Sequence, residues 1–458
     1  MARPVSPFRL LSVTCLLLAS CSGRAAVRQE SPTPVASILP ARVLPLPGGL
    51  DDRWMLQSNT PELIEASGLV LATWKGRGET ALACLDHPLT GSIRFFSHHV
   101  FSDEAYRPGA RRLELAWVAR AAGSSSVRLQ LTSGASYLSQ PEAPFVSLPA
   151  LVTDGAAQVH SGPGDRVARD LLLGSGNLAP AQWRLDPGGA LTLLATRSVP
   201  TDVPILPARN GRTTSLDLRS DGPVDLAEVA WVGDASAPCP DAATWMKLAL
   251  EGPVVLPREV PATPEEGLPG VGFRYGRVGG VARGQTWQAN LPVYEGQERL
   301  AFPIASVWRQ RFGTSEVQSA ELVARLPGSA YRSHGNYQVE YDLGIPVSNP
   351  ARVPRTYRVS LLRPLDFRNG GLVFQDPPHR MVFFRGAVAW EVSDASGRRS
   401  GLVHLQFRGG EHVPPFLEIP VAPGSTVSVR VRLVMPADAT PPQALVLEAD
   451  GAGEQAVR

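Results

Sequence analysis

The sequence predicts an all-β protein: two β-sandwich-like antiparallel domains with one short helix between them. Three observations lead there. Apolar and polar residues alternate with a period of two in several runs. Turn formers are dense, with 43 Gly and 43 Pro in 458 residues, against average usage of about 7% and about 5%. A helical apolar period is clear in a single segment. There is no repeat period of the collagen kind, and 43% hydrophobic residues is too many for a disordered chain. Short strands separated by turns are the remaining solution.

The first element in chain order is not part of the fold. Arg3 and Arg9 form a positive start, and Leu10 to Ala19 is an apolar stretch. It is too short to span a bilayer and fits a signal peptide. It ends in Leu18-Ala19-Ser20-Cys21, which matches the lipobox of bacterial lipoproteins. Residues 1–20 are therefore expected to leave, and Cys21 to carry lipid as the new N-terminus. Each buried methylene contributes about 0.8 kcal/mol, so several acyl chains anchor stably. Ser22 follows, with no Asp there, the pattern that permits outer-membrane sorting where a host has two membranes. Residues 21–42, rich in Ser, Arg, Ala and Pro, read as a flexible tether, and the protein is expected to be exported and held in the cell envelope.

The strands come next. Leu113, Leu115, Trp117 and Ala119 alternate with polar neighbours. A turn cluster at 121–126 follows, then Val127, Leu129 and Leu131 alternate again. This reads as a hairpin with one face buried. Tyr337, Val339, Tyr341 and Leu343 form a second alternating run, with Tyr357, Val359 and Leu361 as a possible partner. Val427, Val429, Val431 and Leu433 form a third. Such clean two-residue periods suit sheets packed face to face. The helix is expected after Asp241, a capping residue, with Trp245, Leu248 and Ala249 as its apolar stripe and Gly252 as its end. The stretch after it is rich in Pro, Glu and Gly. At about 150 residues per domain, the expected division is an N-terminal β domain at 43–252, a linker at 253–269 and a C-terminal β-sandwich at 270–450.

Composition excludes several functions. The net charge is +2, and Lys75 and Lys247 are the sole lysines. The arginines are scattered, so no nucleic-acid partner is expected. Glycine-rich Gly276 to Gly284 lacks nucleotide-binding spacing and reads as turn-forming. No GxSxG, HExxH, P-loop or EF-hand pattern occurs. No catalytic residue, metal ligand or cofactor is assigned. After processing, Cys84 and Cys239 remain besides Cys21, and an oxidising compartment makes one bridge between them possible. The alternative is two unrelated reduced thiols. Neither lies in a CxxC pattern.

His98 and His99 are adjacent in a strand-like run, so they point to opposite faces and cannot share one ion without a bulge. Asp103 and Glu104 lie near enough to imagine a metal site, but structural hydrogen bonding is the expected role. His334 precedes a strand in Ser333-His334-Gly335-Asn336-Tyr337, where Gly and Asn allow positive φ. His87 and His160 have no supporting spacing. Trp117, Trp231 and Trp390 fall in strand runs and are expected in the core. Any exposed Trp or Tyr would suit stacking on sugar rings.

Six strings carry a resemblance: GASYLSQPEAPF (134–145), SGPGDRV (161–167), YGRVGGVA (275–282), YRSHGNYQVEY (331–341), FFRG (383–386) and PADATPPQ (436–443). In sequence and order they resemble a family found mainly among cyanobacterial secreted proteins, the domain of unknown function 3370. The resemblance spans roughly Val43 to Leu447 and implies one unit across both halves. Asp165 stands where a small residue is expected, and Gln338 also departs from the pattern. The resemblance implies no activity, so it supplies no catalytic residue.

The expectation is a non-catalytic envelope lipoprotein that binds a cell-wall polysaccharide or an envelope protein, attached to the membrane through its lipid. The alternative is an envelope glycan hydrolase with carboxylates dispersed in sequence, recognisable by two of them about 5–10 Å apart in an open cleft.

Overall fold

The strand Arg209–Asp234 is the spine of the first half of the chain. It bends at Asp221-Gly222-Pro223, where its register against Leu89–Ser102 shifts. Before the bend it lies between Leu89–Ser102 and Val127–Leu138. After the bend it lies between Arg111–Ala121 and Gly68–Ala72. One strand therefore serves two layers, and Leu115, Trp117, Leu129, Leu216 and Leu226 meet between them. The computed structural model describes residues 33–103, 110–198 and 209–450. Among these the architecture is all-β, as expected, in four sheets of ten, seven, five and three strands.

The expected hairpin at 113–132 does not form. Its two strands never pair with each other; each takes a different half of Arg209–Asp234. The second expected pair is also divided. Glu340–Ser348 joins Thr286–Asn290 and Thr426–Val434 in the seven-stranded sheet. Arg355–Leu362 joins Gln443–Ala449 and Leu417–Val421 in the five-stranded sheet. The connection is an arch between sheets, pinned by Asn349 Nδ2, which donates to Val353 O and Val421 O, each at 2.9 Å. Alternation shows which face is buried; it does not reveal which strand lies alongside. Between the two sheets Tyr341, Leu343 and Val431 pack with Tyr357, Val359 and Leu445.

The sheets cross the expected boundary at 253–269. Gly279–Arg283 and Leu322–Arg325 extend the first sheet beyond Trp54–Ser58. Conversely, Gly49–Leu50 and Leu151–Thr153 edge the seven-stranded sheet. The described residues from Pro34 onward make one compact unit. The span expected to be tether is partly structured, because Val35–Pro40 pairs with Gly371–Asp376 and Arg42–Val43 with Leu300–Ile304. Not all pairing is antiparallel: Trp54–Ser58 runs parallel to Leu89–Ser102, and Thr286–Asn290 to Glu340–Ser348.

The expected helix spans Ala242–Glu251, with Asp241 Oδ1 accepting from Thr244 N at 2.8 Å and Gly252 at its end. Trp245 and Ala249 cover the outer face of the first sheet at Leu69, Val118 and Val229. A second helix, Pro163–Leu173, occupies what reads in sequence as a Gly-Pro-Gly turn. Its signals are Pro163 at the first helical position, Gly174 as a left-handed stop at φ 65°, and apolar Val167, Ala168, Leu171 and Leu172 on one side. It bridges the two halves, packing on Ala135 and Tyr137 of one sheet and on Ala387 and Val434 of another.

Candidate binding site

The expected linker is the wall of a cleft. Val255 N donates to Leu69 O, Ala262 N to Gly328 O, and Thr263 N to Arg274 O. This folds 253–278 back onto the sheet edge. Gly276 sits at φ +72°, and a Cβ there would meet the Ala262 Cβ at 2.7 Å. Glycine is therefore required at this point of the wall. The turn presents Tyr275 edge-on to Phe273, with ring centroids 4.8 Å apart. On its other side Tyr275 meets His334 at 5.3 Å. His334 Nε2 donates to Gly276 O, which fixes the ring. Burial holds the His334 pKa below its usual value, so its ring is neutral.

The opposite wall begins at Trp308, whose Nε1 donates to Glu265 O at 3.2 Å. Tyr331 comes from the turn that enters strand Glu340–Ser348. In that turn Gly335, Asn336 and Gln338 all have positive φ, and Asn336 Nδ2 donates to Tyr341 Oη at 2.8 Å. Phe273, Tyr275, Trp308 and Tyr331 are all partly exposed. The hollow between them is about 20 Å³, room for a single water, so the rings form a shallow bed. Beside it a wider hollow of about 340 Å³ is lined by Glu265, Leu322, Arg325, Tyr331 and Arg332. Guanidinium groups cover the rings: Arg325 lies 3.9 Å from the Tyr331 centroid, Arg309 4.3 Å from Phe273, and Arg311 5.6 Å from Trp308.

A second cleft, about 360 Å³, lies across the same segment. Its lining includes Glu62, His98, Phe145, Pro163 and Asp438. Here residues from the six strings noted in the sequence come together. Asp438 Oδ2 accepts from Asp165 N at 3.1 Å at the start of the helix Pro163–Leu173. Arg385 lies over Phe145, Tyr337 Oη donates to Ala439 O, and Arg277 pairs with Glu62. Burial raises the Asp438 carboxyl to about 6, with Arg385 opposing. Two carboxylates thus share one cleft, but both are engaged, Glu62 by a guanidinium and Asp438 by backbone N–H groups. Neither stands free as an acid or base.

The histidines expected to be structural are bonded as such. His99 is fully buried, with Nδ1 donating to Pro61 O at 2.7 Å and Nε2 lying 3.1 Å from Glu228 Oε2. Burial lowers its pKa, but Glu228 outweighs that and leaves it raised. His98 faces the second cleft, with Nδ1 2.8 Å from Thr213 Oγ1. Burial takes its pKa down to about 3. Asp103 Oδ2 accepts from Arg111 N at 3.0 Å. Glu104 and Cys21 lie outside the described residues. His87 stacks edge-on with Trp54, and His160 Nδ1 donates to Gln158 O. Trp117 is core, but Trp231 and Trp390 are only half-buried.

The bridge considered for Cys84 and Cys239 is not present; both thiols are free. Cys84 sits half-buried behind a short 3₁₀ turn at Gly78–Ala83. Cys239 is exposed, and its sulfur accepts from Arg197 Nη2 at 2.6 Å.

In the sequence Tyr275 and Tyr331 stand out only within strings and His334 only as a turn residue before a strand, while Phe273, Trp308 and the arginines above them are passed over. The available signal was local, since Arg and an aromatic residue lie within a few positions of each other in 273–277, 308–312 and 325–331.

A family described as "Protein of unknown function (DUF3370)" matches residues 41–449. No curated protein matches the chain. Among solved structures, one titled "A Structural Element that Modulates Proton-Coupled Electron Transfer in Oxalate Decarboxylase" aligns at 11% identity over 86% of this chain and 80% of that one. Its TM-score is 0.09, and at that value it says nothing of this fold or its chemistry.

Proposed function

The chain belongs to the DUF3370 family of proteins of unknown function, which supplies no activity to carry over, and we propose that it is a lipid-anchored envelope protein binding a surface polysaccharide on its aromatic cleft. The observation that carries this reading is the ring bed of Phe273, Tyr275, Trp308 and Tyr331. Aromatic rings left partly in water suit stacking on a sugar ring, and hydrogen-bonding groups at the rim suit its hydroxyls. Glu265 and Arg332, linked to each other, provide such groups. The bed is fixed before any ligand arrives, by the His334 and Trp308 hydrogen bonds and by Gly276. Preorganisation of this kind reduces the ordering cost of binding.

The lipobox at Cys21 supports the envelope location. The first described strand starts at Val35.

The test uses the whole processed chain with Cys21→Ser, mixed with insoluble envelope polysaccharide from its host. Saturable retention, lost in Trp308→Ala and Tyr331→Ala, is expected. Unchanged retention in both variants would place the site elsewhere. Soluble fragments released by the wild type would turn the reading to the hydrolase, with Glu62 and Asp438 the first carboxylates to replace.

A further inference from the structure

We infer that the polysaccharide held by this cleft is anionic, its sugar rings carrying carboxylate or phosphate groups that Arg309, Arg311 and Arg325 grip; this rests on the binding reading above. Neighbouring charges are already engaged. Arg332 pairs with both Glu265 and Glu321. Farther along the same segments Arg277 pairs with Glu62 and Arg258 with Glu65. By contrast, Arg274, Arg309, Arg311 and Arg325 have no carboxylate within ion-pair distance among the described residues. Two negative charges oppose these four: Glu266 at the rim of the wider hollow, and the one left over where Glu265 and Glu321 share Arg332. The chain as a whole carries only +2, so this local excess is not a bulk property.

The way three of these arginines sit matters as much as their charge. Each lies over an aromatic ring. Stacking occupies the flat face of a guanidinium and leaves its in-plane N–H edge for other partners. Arg325 Nη1 donates to Ser329 O and Arg311 Nη1 to Ser315 O. The other donors of both groups, and those of Arg309, have no protein acceptor among the described residues. A stacked guanidinium is also held in one orientation, so it loses less freedom on binding a carboxylate or phosphate. The cleft thus alternates flat apolar faces with forked donors. An acidic glycan alternates in the same way, with ring faces and exocyclic anionic groups. A neutral glycan would leave the forks to water.

The experiment compares three immobilised polymers with the full processed chain bearing Cys21→Ser. They are polygalacturonate, the same polymer after carboxyl reduction, and a phosphomannan, whose sugar rings carry phosphate. Reduction keeps the rings and removes the charge. Affinity for polygalacturonate, for the phosphate polymer or for both is expected to exceed that for the reduced polymer by about tenfold or more, the scale of a charge-assisted hydrogen bond. It should fall as salt rises from about 50 to about 300 mM. The comparison between the two charged polymers tells carboxylate from phosphate. Arg309→Gln and Arg311→Gln, both at accessible positions, should lower binding to the charged polymers far more than binding to the reduced polymer and so remove the preference for charge. Equal binding of charged and reduced polymers would overturn the anionic assignment and leave the binding function standing. No retention on any of the three would overturn both. Tighter binding of a single-stranded oligonucleotide, which also stacks on aromatic rings, would overturn the glycan assignment.

Discussion

His404 Nε2 lies 2.7 Å from Asp165 Oδ2, with both side chains fully excluded from solvent. Asp165 belongs to the first turn of the helix Pro163–Leu173, and His404 to the strand Gly397–Arg408. Asp165 also accepts from Ser161 N at 2.6 Å. One aspartate therefore closes the turn before the helix and ties the helix to the sheet. Asp165→Ala leaves His404 with neither ring nitrogen bonded, since its Nδ1 already lacks a partner. A buried polar group stripped in this way costs about 3 kcal/mol. The denaturation midpoint should fall accordingly, while Asp165→Asn, which keeps an acceptor, should lose clearly less. Equal losses would mean that a neutral acceptor cannot stand in for the carboxylate, and no loss in either would mean that the helix is held by apolar packing alone.

The acid limb of the stability profile should carry the mark of Asp438. Its carboxyl is raised to about 6 in the folded chain, chiefly by burial, from an ordinary value of 3.8. The folded state therefore binds this proton more tightly than the unfolded state. Stability from this group rises as pH falls through about 6 and levels off below the unfolded value. The size is on the order of 1–2 kcal/mol after discounting for the open side of the cleft. Asp438→Asn can still accept from the helix N-terminus but cannot titrate. The stability difference between the variant and the wild type should shrink steadily from pH 7.5 to pH 4.5. Parallel profiles would show that Asp438 titrates normally.

The two free thiols should react very differently. Burial lifts the Cys84 thiol to about 11, so almost none is thiolate near neutrality. Cys239 is exposed beside Arg197. A maleimide at pH 7.5 should label Cys239 within minutes and Cys84 only on unfolding, as read by peptide mass mapping. If neither labels until a reductant is added, the two are bridged in the isolated protein.

The legible and illegible parts of this chain differ in range. Asp241, Trp245, Ala249 and Gly252 lie within one short segment, and their helix is as the sequence suggested. Val427 to Leu433 alternates and is a strand. His98 and His99 point apart because a strand dictates it. What failed was pairing over distance. Leu113 to Ala119 and Val127 to Leu131 are each strands, yet both answer to residues about a hundred positions later. The same holds for the cleft. Phe273, Trp308 and Tyr331 are brought together by the sheet edge Gly279–Arg283 and Leu322–Arg325, a pairing that no local period encodes. The Pro- and Glu-rich composition of 253–269 looked like a spacer because its contacts, backbone hydrogen bonds such as Val255 N to Leu69 O and ion pairs such as Glu265 with Arg332, are made with residues distant in sequence, which composition does not report.

Gly276 offers the sharpest check on that wall. Its φ of +72° is strained for any residue with a Cβ, and the added carbon would lie 2.7 Å from Ala262. Gly276→Ala must therefore shift the turn that carries Tyr275, and its carbonyl must move from His334. The stability cost should be about 1–2 kcal/mol, because the turn lies at the edge and can yield. Polymer retention should fall more than stability, since stacking depends on ring position. Ala262→Gly removes the clash partner but not the positive φ. Combined with Gly276→Ala, it should restore part of the stability and part of the retention. If Gly276→Ala binds as the wild type does, the Tyr275 wall is not part of the site, and the bed is reduced to Trp308 and Tyr331.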